Sequence, residues 1–143
     1  MTRLHVHLKV RDLDQSIAFY AALFAKEPDK READYAKWML ENPSANIAIS
    51  TRGDQTGVDH IGLQVETADE LEAIADRLKA AGAGALEEKS ATCCYARSDK
   101  YWALSPDGPK WELYRTFGDA ATFGSSPSLA SAKPDASPCC AVA

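Results

Sequence analysis

His5-Val-His-Leu-Lys-Val10 and His60-Ile-Gly-Leu-Gln-Val65 are the two stretches on which the fold turns. Each has the character of a strand, in which residues two apart share a face. Laid over each other, they put histidine on histidine and valine on valine. A helical pattern succeeds both. After the first, Asp12-Leu13-Asp14 leads into Leu13, Ile17, Tyr20 and Phe24 at helical spacing, with Pro28 just beyond. After the second, Thr67-Ala-Asp-Glu70 is a capping-box signature. Leu71, Ile74, Leu78 and Ala81 continue the helical face, and Gly82 is placed to end it.

The later parts of the halves match as well. Trp38-Met-Leu and Ile47-Ala-Ile49 lie over Trp102-Ala-Leu and Trp111-Glu-Leu113, with turn residues between in both. Each half therefore reads as a strand, a helix and about three more strands, an internal duplication that outranks other fold arguments. It predicts an α+β fold of two tandem βαβββ modules, at about residues 1–53 and 57–118, packing into a half-barrel or cup. The domain takes in about residues 1–120. Residues 121–143 turn to Ser, Pro and Ala and end in Cys139-Cys140-Ala-Val-Ala, the composition of a flexible tail.

Bulk properties narrow the function. At 143 residues and 45% apolar content the chain supports one domain with a proper core. The net charge of −5 and the absence of a basic run argue against nucleic acid. No apolar stretch approaches the roughly 20 residues that cross a bilayer, and the N-terminus enters a strand pattern without an apolar signal segment. The four cysteines fall as adjacent pairs, Cys93-Cys94 and Cys139-Cys140. Adjacent pairs staple nothing, so they read as reduced thiols in a cytoplasmic protein.

Chemistry enters with the duplication. Two equivalent strands related by a pseudo-twofold axis would send His5 and His60 into the same cup. Glu112 lies between Trp111 and Leu113, whose side chains face the other way on a strand. A carboxylate buried in such a strand needs a cation or a water-filled cavity. Its counterpart in the first half is Ala48, so the duplication supplies two histidines and one carboxylate. That set leaves open coordination positions, as in non-haem Fe(II) sites, and it also suits Zn, Mn, Co or Ni. His7 shares the parity of His5 and is the obvious substitute ligand, but its counterpart is Gly62.

Cys93-Cys94 is too tightly spaced for an ordinary zinc site. In a loop, over about residues 86–96, both sulfurs can turn to one thiophilic ion such as As(III), Cd(II) or Hg(II). Lys100 and Arg97 are close enough in sequence to favour thiolate. Tyr95, Trp38 and Trp102 are candidates either for pocket walls or for ordinary core. The late pair, Cys139-Cys140, suggests a capture arm.

The residues His5…Val10-x-Asp12-Leu13…Phe19-Tyr20, Asp59-His60-Ile-Gly-Leu-Gln-Val65 and Trp111-Glu112-Leu-Tyr114 resemble the glyoxalase/bleomycin-resistance/extradiol-dioxygenase (vicinal oxygen chelate) superfamily. Within it, Tyr35-Ala-Lys-Trp-Met-Leu, Asn46-Ile-Ala-Ile-Ser-Thr-Arg52 and Thr92-Cys-Cys-Tyr-Ala96 resemble the ArsI-type organoarsenical C–As lyases, whose close relatives are cadmium-induced CadI-type proteins. The resemblance implies an Fe(II)-dependent dioxygenase that uses dioxygen to cleave the carbon–arsenic bond of trivalent organoarsenicals. It implies His5, His60 and Glu112 as catalytic metal ligands and Cys93 and Cys94 as the arsenic-binding pair, and none of these five positions departs from the pattern. The alternative is a protein that binds Cd(II) or As(III) without turnover. Proteins with paired modules of this kind are often dimers, so a homodimer stays open.

Overall fold

The computed structural model describes residues 1–83, 85–93 and 95–119, the side chains of Ala85, Cys93 and Asp119 excepted. The first half gives β1 (Arg3–Lys9), α1 (Leu13–Phe24), β2 (Lys30–Glu32), β3 (Tyr35–Glu41) and β4 (Ser44–Ser50). The second gives β5 (Gly57–Gln64), α2 (Ala68–Ala80), β6 (Ala85–Cys93), β7 (Ala96–Leu104) and β8 (Lys110–Asp119). This is βαβββ twice, as the repeat predicts. The predicted tail, with Cys139 and Cys140, lies outside the described residues.

Local chemistry sets the helix ends. Asp12 caps α1 by accepting from the Gln15 amide, and Ala25 closes it in the left-handed conformation. Thr67 and Glu70 form the predicted capping box at α2, each satisfying an amide that the first turn leaves free.

All strands join one eight-stranded sheet in the order β2-β3-β4-β1-β5-β8-β7-β6. β1 and β5 pair antiparallel at its centre, and each has its own module's last strand parallel on its other side. The modules are thus joined edge to edge within one chain. The helices cover the outer face over separate apolar clusters. Leu13 and Ile17 of α1 pack on Trp38 and Ile49, and Leu71 and Ala75 of α2 pack on Tyr101 and Leu113. The opposite face carries His5, His7, Asn46, His60 and Glu112, all buried polar residues.

The register confirms the superposition of the site strands and corrects it elsewhere. Val6 pairs with Ile47 and Ile61 pairs with Trp111, so Ala48 does occupy the place of Glu112, and His7 that of Gly62. Trp38, however, pairs with Ile47, whereas Trp111 pairs with Ala103. Trp102 is therefore one position out from Trp38, and a shift of one residue reverses the face of a strand. Trp38 is core beneath α1, while Trp102 turns inward, its ring 5.2 Å from that of His60. The expected loop over residues 86–96 is also corrected. Cys93 ends strand β6 and Ala96 begins β7, so Cys93 sits in a hairpin, with a bulge near Ser90 where φ is 51°.

Candidate metal centre

β1, β5 and β8 lie side by side, and each contributes one ligand candidate. His5, His60 and Glu112 are 4%, 2% and 3% exposed. His60 Nε2 is 3.2 Å from His5 Nε2 and 3.0 Å from Glu112 Oε2, and His5 Nε2 is 3.3 Å from the same oxygen. Three ligand atoms about 2.1–2.2 Å from one ion and mutually at right angles stand about 3.0–3.1 Å apart. The triangle therefore fits one face of an octahedral coordination shell, the facial arrangement of two histidines and one carboxylate.

The outer partners of the ligands favour the same use. His5 Nδ1 donates to the Asn46 carbonyl at 3.1 Å, which fixes the ring with Nε2 turned toward His60 and Glu112. His60 Nδ1 donates to Asp59 Oδ2 at 2.7 Å, and Asp59 in turn pairs with Lys9 at 3.0 Å. Glu112 Oε1 accepts from the buried Lys100 ammonium at 2.5 Å. Only Oε2 faces the histidines, so the carboxylate supplies one donor atom rather than two. Two nitrogens and one oxygen leave half of an octahedral shell for other ligands.

Burial and charge shape the protonation here. Burial opposes a charge on His60, but Asp59 and Glu112 outweigh it and push its pKa up to about 9. Burial likewise works against the Glu112 carboxylate, while Lys100, and then both imidazoles, hold it well below the usual range. The hydrogen bond from His60 holds Asp59 down as well, against partial burial. His7 behaves differently. Burial, with His60 and His5 beside it, lowers its pKa to about 3, so it stays neutral and hydrogen-bonds Ser50 Oγ at 2.9 Å. It does not join the triangle.

A cavity of about 30 Å³ opens on His5 and Glu112 and is lined also by Tyr35, Asn46, Lys100 and Tyr114, among others. Ala96 also lines it, and Ala96 is the register partner of Cys93. The backbone of the first cysteine thus ends beside this cavity; Cys94 lies outside the described residues. Tyr95, next in sequence, is tied to the first module. Its hydroxyl donates to Asp34, its carbonyl accepts from Lys30 at 2.7 Å, and its ring lies 5.8 Å from that of Tyr35. Since β2 and β6 are opposite edges of the sheet, these contacts bring the two edges together across the mouth of the cup.

Sequence reasoning names the triad but misses its supports. Lys100, expected to favour thiolate, is instead committed to Glu112. Arg97 is exposed and lies over the Phe117 ring. Asp59, adjacent to His60, is a readable signal, since an imidazole ligand commonly gives its second N–H to a carboxylate. Asn46 carries no such signal.

The chain matches the Glyoxalase/Bleomycin resistance protein/Dioxygenase superfamily over residues 2–113, and it belongs to that family. It is 43% identical over 119 residues to a trivalent organoarsenical cleaving enzyme of Bacillus sp. (strain MD1), covering 81% of this chain and 74% of that protein. It is 36% identical over 128 residues to the cadmium-induced protein CadI of Mycobacterium bovis, covering 89% and 84%. Among solved structures, the Mn(II)-bound glyoxalase from Novosphingobium aromaticivorans shares the fold, with a TM-score of 0.60 and 22% identity over 88% of this chain and 44% of that one. Among the described residues no helix is long and apolar enough to cross a membrane.

Proposed function

We propose that the protein is an Fe(II)-dependent dioxygenase that cleaves the carbon–arsenic bond of trivalent organoarsenicals such as methylarsonous acid, releasing arsenite. The observation that carries this reading is the buried face of His5, His60 and Glu112, in which Lys100 restricts the carboxylate to a single donor atom. Such a face can hold an ion and still admit other ligands. Iron, when bound, supplies the chemistry that activates dioxygen. His5 and His60 are held in orientation by the Asn46 carbonyl and by Asp59, and the rings of Trp102 and Tyr114 wall the histidines off from water.

Cys93 and Cys94 are the arsenic-holding pair in this reading. Trivalent arsenic is soft, and two adjacent thiolates bind it far better than oxygen donors do. Fixing arsenic beside the metal face turns a bimolecular encounter into a positioned one. Names of relatives as organoarsenical cleaving enzymes support this substrate class.

Arsenite release from methylarsonous acid tests the reading. Fe(II)-loaded protein is assayed in air, beside a Cys93→Ser/Cys94→Ser double variant and an anaerobic control. Release that needs iron, dioxygen and both thiols is the expected outcome. Tight arsenical binding without dealkylation, whatever the metal, would instead leave a Cd(II)- or As(III)-sequestering protein.

A further inference from the structure

The chain has three histidines, and His7 is the one that the metal centre leaves out. It is 3% exposed, and its ring centroid lies 5.0 Å from that of His60. With Asp59 and His60 it forms a second group, whose ligand atoms all lie within 4.8 Å of one another. A bulge creates this group. β1 and β5 pair His7 with His60 and then Leu8 with Val58, so Asp59 is the extra residue of β5. Neighbours on a regular strand face opposite ways, whereas Asp59 and His60 turn to the same side and meet at 2.7 Å.

The second group repeats the chemistry of the first. Each joins two imidazoles to one carboxylate, and in each a lysine takes one carboxylate oxygen. Lys100 holds Glu112 Oε1 and leaves Oε2 toward the histidines. Lys9 holds Asp59 Oδ1 at 3.0 Å and leaves Oδ2 toward His60. His7 Nε2 hydrogen-bonds with Ser50 Oγ at 2.9 Å, the kind of outer partner that orients a ligating ring. His60 belongs to both groups and divides its nitrogens between them: Nε2 faces His5 and Glu112, and Nδ1 faces Asp59. The side chains of Asp59 and Lys9 are 21% and 33% exposed, so this end of the group opens to solvent.

We propose that His7, Asp59 and His60 form a second metal site, which takes a borderline divalent ion such as Zn(II) and shares the His60 ring with the first. Imidazole and carboxylate donors suit such ions. The incoming ion takes the place of the Nδ1 proton, which leaves to solvent, and the ring then bridges two ions as imidazolate, one at each nitrogen. Repulsion between two close cations makes the second ion the more weakly held. The site requires neither iron nor an arsenical.

The test uses the full-length chain with all four cysteines replaced by serine, so that no added zinc goes to thiols. Bound Zn(II) is counted by equilibrium dialysis and native mass spectrometry, and the nitrogen-labelled imidazoles are followed by NMR. At saturation two zinc ions per chain are expected, the second at least about tenfold weaker than the first, with both His60 nitrogens at metal-bound shifts. His7→Phe should take only one, with the affinity of the first unchanged. If His7→Phe fails to fold, His7→Gln, which keeps a polar partner for Ser50, takes its place. Saturation of the parent at one ion, two ions in the His7 variant as well, or a His60 Nδ1 that keeps its proton at two ions would each overturn the second site. A parent that takes no zinc overturns it together with the metal centre.

Discussion

Lys100 and Glu112 form a buried ion pair at 2.5 Å, on the one carboxylate oxygen that does not face the histidines. The ammonium therefore does two things: it keeps Glu112 charged, and it limits the carboxylate to one donor atom. Removing one member of a buried pair typically costs about 3–5 kcal/mol, because the other charge stays buried alone. Lys100→Met should lower the stability of the metal-free protein by that order. The loss should be smaller with a divalent ion present, since the ion then offsets the carboxylate. Urea unfolding of both forms checks this, and an equal loss in each would show that the lysine does not serve the metal site.

Gly62 sits opposite Glu112 in the parallel pairing of β5 and β8. A Cβ at Gly62 would overlap the Glu112 carbonyl oxygen, so the strands approach this closely only because the residue is glycine. Gly62→Ala should push β8 away and carry Glu112 off the triangle. Metal affinity should fall at least tenfold, the scale seen when a ligand's support is disturbed, with a stability loss of about 1–3 kcal/mol. Calorimetric metal titration and chemical denaturation would separate the two effects.

The same glycine shows how much the sequence could say. The duplication carries the α+β class, the βαβββ order and the gathering of His5 and His60 on one face, because histidine recurs at equivalent places and strand parity fixes the face. The pairing of Trp38 with Trp102 misleads, because identical residues invite alignment while the register between neighbouring strands slips freely by one. Lys100 is illegible for a related reason. Its partner lies on a neighbouring strand, and only the pairing of Lys100 with Tyr114 and Trp102 with Glu112 brings the ammonium beside the carboxylate. Asn46 is hidden because it braces His5 through its main-chain carbonyl, which no residue pattern records.

Asp59 is the support that can be tested by pH. Without metal, His60 is imidazolium at neutral pH, donating Nδ1–H to Asp59 and Nε2–H to Glu112. Its folded-state pKa of about 9 lies above the unfolded value of about 6.5. Its contribution to metal-free stability is therefore full below pH 6.5 and is lost as pH rises through about 9. Metal binding runs the other way, because the ion must displace the Nε2 proton and its apparent affinity should climb over the same window. Asp59→Asn should lower the His60 pKa and flatten both trends, and should also weaken the metal by about 10–100-fold through loss of orientation. NMR titration of the His60 ring, alongside metal affinity from about pH 6 to about pH 9, would read all three; trends of equal slope in parent and variant would remove Asp59 from the account.

Tyr95 gives the last prediction, and it separates substrate capture from metal binding. Its left-handed backbone, φ 59°, turns the hairpin after the cysteine pair, and its hydroxyl reaches across the cup to Asp34. Asp34 is itself braced by Arg52 at 3.1 Å, so the anchor is fixed from the first module's side. Tyr95 and Asp34 stand outside the triangle of His5, His60 and Glu112. Tyr95→Phe keeps the ring against Tyr35 but cuts the tether, and Asp34→Asn weakens it from the other end. A neutral-to-charged hydrogen bond of this kind contributes about 1.5–3 kcal/mol, and if the tether serves to place the thiols, KM for methylarsonous acid should rise about tenfold or more. Iron affinity should be unchanged in both variants. A Tyr95→Phe protein that lost iron but kept its KM would mean that closing the two sheet edges together shapes the metal face, rather than the approach of arsenic to it.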